Sequence, residues 1–205
     1  MAGYVKLQKI WPNGTVHIIG SGPSISKTPL NYLRGKNVIT CNNAYQLYPY
    51  SQYHAFRDFQ WWEWHKQSLL KCYFGLLLTI AKQCEDLPGI IYLKHRSKLA
   101  VWPMESDTVA GIDTGGLALW AAVHLGATRI VLHGFDMRVV AGRHHWHEDH
   151  PEPTNKEVYE RRFMPAYASF PEALKMAGVE VLNATPESGL KVFPIIDVIE
   201  GVCYG

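Results

Sequence analysis

The sequence lacks the features that would assign it at once to a specialised class of protein. Its four cysteines include no Cys-x-x-Cys pair, the spacing typical of zinc ribbons and dithiol redox sites. The longest apolar run, residues 73–81, is far shorter than the ~20 residues that span a bilayer. No signal-peptide pattern opens the chain. We therefore expect a soluble cytoplasmic protein with reduced thiols and no membrane partner.

Strong charge is also missing. The chain has 20 Lys and Arg against 18 Asp and Glu, mixed along its length, for a net charge of +2. Without a basic arm or stripe, the pattern gives no direct indication of nucleic-acid binding. At 205 residues with 47% hydrophobic content, the chain is long enough for one substantial core and short for two. We predict a single domain over residues 1–205, with a core of about residues 16–194, and a homo-oligomer is compatible with this length.

Two common phosphate-binding motifs are missing around the first glycine-rich segment. The apolar run at residues 16–19 leads into a segment named here the glycine turn, formed by Gly20, Ser21, Gly22, Pro23 and Ser24. Ile25 stands where a dinucleotide motif has its third glycine, and no Gly-Lys-Ser/Thr follows. The turn still predicts a phosphate site, because glycines let backbone N–H groups approach a ligand and Pro23 favours a helix start. An ordinary strand-to-loop turn is the alternative.

Several other apolar runs also end at polar side chains. Strands are predicted at residues 38–41, 53–56, 89–93, 129–136 and 179–182. Helices are predicted after the glycine turn, over residues 59–86, from about Thr114 to Gly126, over 156–177 with breaks at Pro165 and Pro171, and from Ser188, with a loop at 94–111. This alternation predicts an α/β fold with a mostly parallel sheet whose carboxyl ends line a ligand crevice.

The polar residues at these strand ends have functional and structural interpretations. Asn42 and Asn43 follow a strand, where their amides suit a ribose or base edge, although asparagine is also common in turns. Asp58 and Asp136 suit a magnesium–phosphate complex or the orientation of a histidine, and helix capping is the alternative. Thr114 and Gly115 form a second small-residue helix entrance, as a nucleotide held at two points would require.

Three tryptophans open the predicted helix at residue 59. Trp61, Trp62 and Trp64 are followed by apolar residues at spacings of three and four, typical of a helix with one buried side. Core or cover positions are therefore favoured over a platform for stacking bases.

A histidine-rich segment, named here the histidine loop, covers residues 143–150. Its histidines are His144, His145, His147 and His150. A histidine can act as the general base that removes a proton from an acceptor hydroxyl. Zinc binding by His145, His147 and His150 is a second interpretation, although the spacing matches no standard zinc motif. An exposed polar loop is the third.

In chain order, six segments together resemble a known family. They are residues 19–24, 41–43, 114–115, 130–136, 178–184 and 186–190. Across about residues 16–194 the chain resembles the bacterial sialyltransferases of glycosyltransferase family 42. It also resembles the related superfamily that includes a hydroxymethylpterin diphosphokinase, and most of all its small bacteriophage members.

This resemblance implies a Rossmann-like fold and a nucleotide-sugar donor, with a CMP-type donor favoured and no required cofactor. It carries nucleotide binding over to Gly20, Ser21, Gly22, Ser24, Asn42, Thr114 and Gly115. It places the general base in the histidine loop, where we choose His147 or His150. From its place at a strand end, where it suits the orientation of a histidine, we predict Asp136 as a further catalytic residue. The sequence between Asp136 and His144 is shorter than the family's lid, so Arg138, Arg143 or His144 is expected to replace the lid's phosphate contacts.

Three functions follow. The leading one is a glycosyltransferase whose acceptor hydroxyl belongs, in one version, to a modified base in phage DNA, in which case the protein works in the host cytoplasm. The second is a diphosphokinase that uses ATP and Mg²⁺, with Asp58 and Asp136 near the metal. The third is a binder that sequesters a nucleotide without catalysis.

Overall fold

A seven-stranded sheet forms the middle of the structure, a computed structural model that describes residues 3–149, 157–199 and 202–203. The strands in chain order are β1 (Gly14–Ile19), β2 (Asn37–Cys41), β3 (Tyr53–Ala55), β4 (Leu76–Thr79), β5 (Ile90–Tyr92), β6 (Lys94–Ser97), β7 (Thr108–Ala110), β8 (Ala127–His133), β9 (Glu180–Asn183), β10 (Val198–Ile199) and β11 (Val202–Cys203). In space the large sheet has the order β5-β4-β3-β2-β1-β8-β9, and every neighbouring pair is parallel. The predicted α/β fold with a mostly parallel sheet is confirmed.

The helices flank this sheet. They are α1 (Phe59–Cys72), α2 (Thr114–His124), α3 (Met164–Tyr167) and α4 (Phe170–Met176), and a π-helical turn (Tyr159–Phe163) precedes α3. Helix α2 is buried along its whole length, and its Trp120 is among the largest fully buried side chains. A helix that is apolar on all sides must be covered on all sides. Because α2 is enclosed in this way, its N-terminus at Thr114 has a fixed position in the fold.

The chain reverses its direction of travel across the sheet at β1. Strands β2 to β5 extend from one side of β1, and β8 and β9 extend from the other. In open parallel sheets a ligand crevice forms outside the carboxyl ends of the strands at such a reversal. The residues that follow β1 and β8 therefore occupy the position where a ligand is expected.

The predicted helix over residues 59–86 is wrong in its second half. Helix α1 ends at Cys72, and Leu76–Thr79 forms β4 inside the sheet. A short apolar run does not distinguish a buried strand from a buried helix segment. Gly75 lies between the two elements. A larger residue would not fit there, because its Cβ would stand 2.3 Å from the Tyr73 hydroxyl.

Two further predictions need correction and one is confirmed. The predicted loop at residues 94–111 contains β6 and β7, which pair in a small parallel sheet. The helix predicted from Ser188 is missing from the described residues, because the Ser188 hydroxyl instead donates to the Phe135 carbonyl. Pro165 and Pro171 do divide the last helical region, each at the first turn of its helix. An N–H group in the first turn has no hydrogen-bond partner inside the helix, so proline, which lacks this group, is tolerated there.

The described part of the chain has no helix that combines the length and apolar character needed to cross a bilayer. Cys41, Cys72 and Cys84 are free thiols.

Candidate functional site

A cavity of about 490 Å³ opens beyond the ends of β1, β2 and β8. Its volume falls in the range of small-molecule sites. The residues predicted for the site that line it are Gly20, Ser21, Gly22, Asn42, Asn43, Asp58, Thr114, Gly115, Asp136, His144 and His147. Pro23, Ser24 and Arg143 are not among its lining residues, and His150 is outside the described part of the chain. The structure thus brings most of the predicted residues together.

The glycine turn lines the cavity, but the N–H groups of Gly20, Gly22 and Ser24 are engaged inside the protein. Gly20 N–H donates to the His133 carbonyl at 2.8 Å, and Gly22 N–H donates to the Gly134 carbonyl at 2.9 Å. Ser24 N–H donates to both carboxylate oxygens of Asp136 at 3.3 Å. The helix predicted from Pro23 is only a short 3-10 turn, Pro23–Lys27. Phosphate binding by these donors therefore stays a prediction, and it would require Asp136 to release Ser24.

Asp136 occupies the space beside the turn that glycine leaves open. A Cβ on Gly22 would stand 2.0 Å from Asp136 Oδ2, and the Ser24 hydroxyl donates to the same oxygen at 2.8 Å. Burial raises the pKa of Asp136, while the hydrogen bonds from Ser24 act to lower it. The structure therefore places Asp136 as a cap on the turn at the cavity wall, and its catalytic role stays a prediction.

The second helix entrance carries its own carboxylate, which the sequence analysis missed. Asp113 is the N-cap of α2, and its Oδ1 accepts from Gly116 N–H at 2.9 Å. The Tyr167 hydroxyl donates to the same carboxylate at 3.2 Å. Loss of surrounding water raises the pKa of Asp113. An aspartate directly before a Thr-Gly-Gly helix start is a recognisable N-cap signal, so this residue could have been found.

The two asparagines are held in different ways. Asn42 has a φ of 49°, as expected for a residue in a turn, and its Oδ1 accepts from Thr114 Oγ1 at 3.0 Å. It therefore forms a turn and also lines the cavity. Asn43 is 1% exposed, and its Oδ1 accepts from the Trp61 indole N–H at 2.8 Å. The Asn43 Nδ2 group is buried and has no hydrogen-bond partner among the described residues. Buried polar groups are nearly always paired, so this amide is a candidate donor to a ligand.

The three tryptophans divide between core and cavity. Trp61 and Trp62 are buried, and each stacks on Phe56. Trp61 also lines the cavity, next to Trp64, which is 38% exposed. Trp61 and Trp62 therefore occupy core positions, as predicted, and Trp64 lines the cavity from a partly exposed position.

The described part of the histidine loop, residues 143–149, is fixed over the glycine turn. The backbone N–H of Trp146 donates to the Ser21 carbonyl at 3.1 Å, and the Trp146 side chain packs against the buried cluster that includes Ile19. His144, His145 and His147 all line the cavity. No group of three or more His, Cys, Asp and Glu side chains suited to a metal occurs in the described ranges, which exclude His150.

Hydrogen bonds assign different tautomers to two of these histidines. The Tyr159 hydroxyl lies 3.3 Å from both the Nδ1 and the carbonyl oxygen of His144. The carbonyl can only accept, so the hydroxyl donates to it and accepts from Nδ1–H, which leaves the lone pair of a neutral His144 on Nε2. In contrast, Asp149 N–H donates to His147 Nδ1 at 3.2 Å, so a neutral His147 carries its proton on Nε2.

Three residues from the π-helical turn also line the cavity and were missed: Tyr159, Arg162 and Phe163. Burial raises the pKa of Tyr159 to about 12, and the charge of Asp136 adds to the effect, so its hydroxyl stays protonated. A π-turn is common at functional sites, but its sequence does not differ from that of an α-helix.

No family model and no curated protein sequence matches this chain. Solved structures do resemble its fold. The sialyltransferase CstII from Campylobacter jejuni, in complex with cytidine-5'-monophosphate, matches with a TM-score of 0.60 and 14% identity over 95% of this chain and 88% of that one. CstII with a trisaccharide acceptor and CMP gives a TM-score of 0.52 at 14% identity, covering 88% and 84%. CstII with CMP-3FNeuAc gives 0.50 at 16% identity with the same coverage. The likeness shows a shared fold.

Proposed function

We propose that this protein is a glycosyltransferase that uses a CMP-type nucleotide sugar. The observation that carries the proposal is the contact between Trp146 N–H and the Ser21 carbonyl, because it holds the histidine loop over the cavity that β1, β2 and β8 form. A sugar-transfer site needs a nucleotide pocket and a proton acceptor together. CstII, whose fold this chain shares, has been solved with CMP, which supports the choice of nucleotide.

In the proposed reaction, the acceptor hydroxyl oxygen attacks the anomeric carbon of the donor. The bond between that carbon and the phosphate oxygen breaks, CMP leaves with the bonding electrons, and the hydroxyl proton passes to a histidine. The Asn43 Nδ2 group supplies a donor to the nucleotide, and the Trp64 face covers it.

The tautomers favour His144 over the predicted His147 as the base, and His150, which lies outside the described residues, stays a prediction. The Nε2 lone pair of His144 is the group that accepts a proton, and the Tyr159 hydroxyl orients the residue through its contacts with Nδ1 and with the backbone carbonyl. His147 carries a proton on Nε2, which suits donation to an oxygen of the departing phosphate. The roles of the two histidines are thus exchanged relative to the sequence prediction.

Ligand binding tests the nucleotide assignment. The melting temperature of the protein is measured with CMP, UMP, GDP and ATP, each with and without Mg²⁺, since a ligand raises it by mass action. We expect CMP to stabilise the protein without a metal. If ATP with Mg²⁺ were the only ligand to stabilise the protein, the result would instead support the diphosphokinase. CMP binding without any turnover of CMP-sugars would support the sequestering protein.

Three variants test the base. We expect His144→Ala to lower kcat for transfer about a thousandfold, and His147→Ala about tenfold, with CMP affinity nearly unchanged in both. Tyr159→Phe should displace the pH profile of kcat, because it removes the group that fixes the His144 tautomer. Full activity of His144→Ala would refute the assignment. Glycans and duplex DNA whose modified bases carry a hydroxyl are offered as separate acceptors, which also tests the predicted modified DNA base.

A further inference from the structure

A second cavity, of about 200 Å³, adjoins the first. Its lining residues are Lys98, Leu99, Ile112, Arg161, Arg162, Pro165 and Ala166. Ile112 and Arg162 line both cavities, so molecules bound in the two would be neighbours. The second cavity has less than half the volume of the first, which suits one compact group.

All the ionisable side chains that line the second cavity are cationic. Arg161 forms an ion pair with Glu157 at 3.1 Å, which compensates one of the three charges. Lys98 and Arg162 are exposed and add two positive charges beside the apolar Ile112. A guanidinium and an ammonium at one pocket favour a carboxylate or phosphate oxygen.

The walls of this cavity are held in place by specific hydrogen bonds. Ala100 N–H donates to Ser169 Oγ at 2.9 Å, tying the loop that carries Lys98 to the junction of α3 and α4. Arg96 Nη1 donates to the Pro103 carbonyl at 2.8 Å and closes the same loop. On the opposite wall, the π-helical turn presents Arg161 and Arg162 at successive positions. The cationic groups thus project from anchored segments.

We propose that the second cavity binds an anionic group of the acceptor, a carboxylate or a phosphate on the sugar that receives the transfer. This inference rests on the proposed function for the choice of acceptor. The shared Arg162 then places the anion next to the donor sugar, and Lys98 holds its far side. Specificity for acidic or phosphorylated acceptors follows.

The test is calorimetric titration of the CMP-saturated protein and of the protein alone. The probes are methyl glucoside, methyl glucuronide and methyl glucoside 6-phosphate, which differ in one substituent. We expect the two anionic probes to bind at least about tenfold more tightly than the neutral one. Lys98→Glu should remove that preference without changing CMP affinity, because Lys98 lines the second cavity and not the first. Lys175→Glu, on the exposed side of α4, is the charge-matched control.

The outcomes separate the two proposals. Preference for the glucuronide alone or the phosphate alone supports the inference and identifies the anion. Equal binding of all three probes, or a preference that Lys98→Glu leaves intact, overturns it. Lys98-dependent binding of anions by a protein that does not bind CMP keeps the anion site and refutes the nucleotide site.

Discussion

The glycine turn and the entrance of α2 are capped by carboxylates that come from different parts of the chain. Both bring small residues to the cavity, and both are capped by a carboxylate. At α2 the cap is Asp113, which directly precedes the helix. At the turn it is Asp136, 112 residues away from the serine that it binds. A local cap forms with its helix, whereas the distant cap exists only once β1 and β8 have paired.

The two entrances also differ in how closely their carboxylates approach glycine. A Cβ on Gly22 would lie 2.0 Å from Asp136, whereas a Cβ on Gly116 would lie 3.2 Å from Asp113. The distant cap is therefore packed against backbone with no space to spare. We infer that the glycine turn tolerates substitution less well than the entrance of α2.

The largest expected effect comes from acid. His17 and His133 lie in β1 and β8 beneath the turn, with His17 Nδ1 and His133 Nε2 3.1 Å apart. Burial lowers the pKa of His17 to about 4 and that of His133 to about 3. Between pH 6.5 and 4, histidines of the unfolded chain become protonated while the folded pair stays neutral. The free energy of unfolding is therefore highest above pH 6.5 and falls as the pH is lowered. The slope is about 3 kcal/mol per pH unit for the two groups.

This prediction is checked by urea unfolding at pH 7, 6 and 5. Other buried histidines, His54 and His124, add to the total because burial lowers their pKa values too. His17→Asn supplies the control, since asparagine can replace the hydrogen bond without titrating. A free energy of unfolding that is level from pH 7 to pH 5, or an unaltered slope in the variant, would contradict it.

The next effect is a direct comparison of the two glycines. We expect Gly22→Ala to cost about 3 kcal/mol of unfolding free energy, since neither the Asp136 carboxylate nor the Gly134 carbonyl can move away easily. Gly116→Ala should cost about 1 kcal/mol or less, because a shift of a few tenths of an ångström makes room. Gly3→Ala, where nothing lies within 4 Å, is the neutral control. Equal losses at the two entrances would refute the difference.

The same contrast explains what the sequence could predict about the fold. β1, β2 and β8 were predicted because continuous apolar runs mark strands buried on both faces. β4 was absorbed into a predicted helix, since its apolar run follows α1 with only Gly75 as a break. β6 was missed because it alternates between exposed and half-buried positions and lacks an apolar run.

The site residues also divide into those that a local sequence pattern predicts and those that only the tertiary fold brings to the cavity. Asn42 is predicted because it directly follows a strand, and Thr114 is predicted because it stands at a small-residue helix entrance. Tyr159 and Arg162 were missed because only the tertiary fold brings the π-helical turn to the cavity. The engagement of Ser24 by Asp136 was equally invisible, since no local pattern connects residues so far apart.

A smaller effect is expected from removing each cap. Asp136→Ala leaves the Ser24 N–H and hydroxyl without their partner and should cost about 2 kcal/mol. Asp113→Ala should cost about 1 kcal/mol, as is typical for an N-cap. If the glycine turn binds phosphate, Asp136→Ala should also tighten CMP binding, because it frees Ser24 N–H and removes a competing carboxylate. Weaker CMP binding in that variant would place the phosphate elsewhere.

The smallest effect separates support of the turn from contact with the ligand. Ser24→Ala removes one hydroxyl from Asp136 but keeps the Ser24 N–H bond, so we expect a loss of about 1 kcal/mol and unchanged CMP affinity. Thr114→Ala removes the donor that fixes Asn42 at the cavity, so CMP affinity should fall by about fivefold. Thr114→Ser keeps the hydroxyl and should restore it. If Ser24→Ala weakens CMP binding more than Thr114→Ala, the turn, and not the α2 entrance, holds the nucleotide.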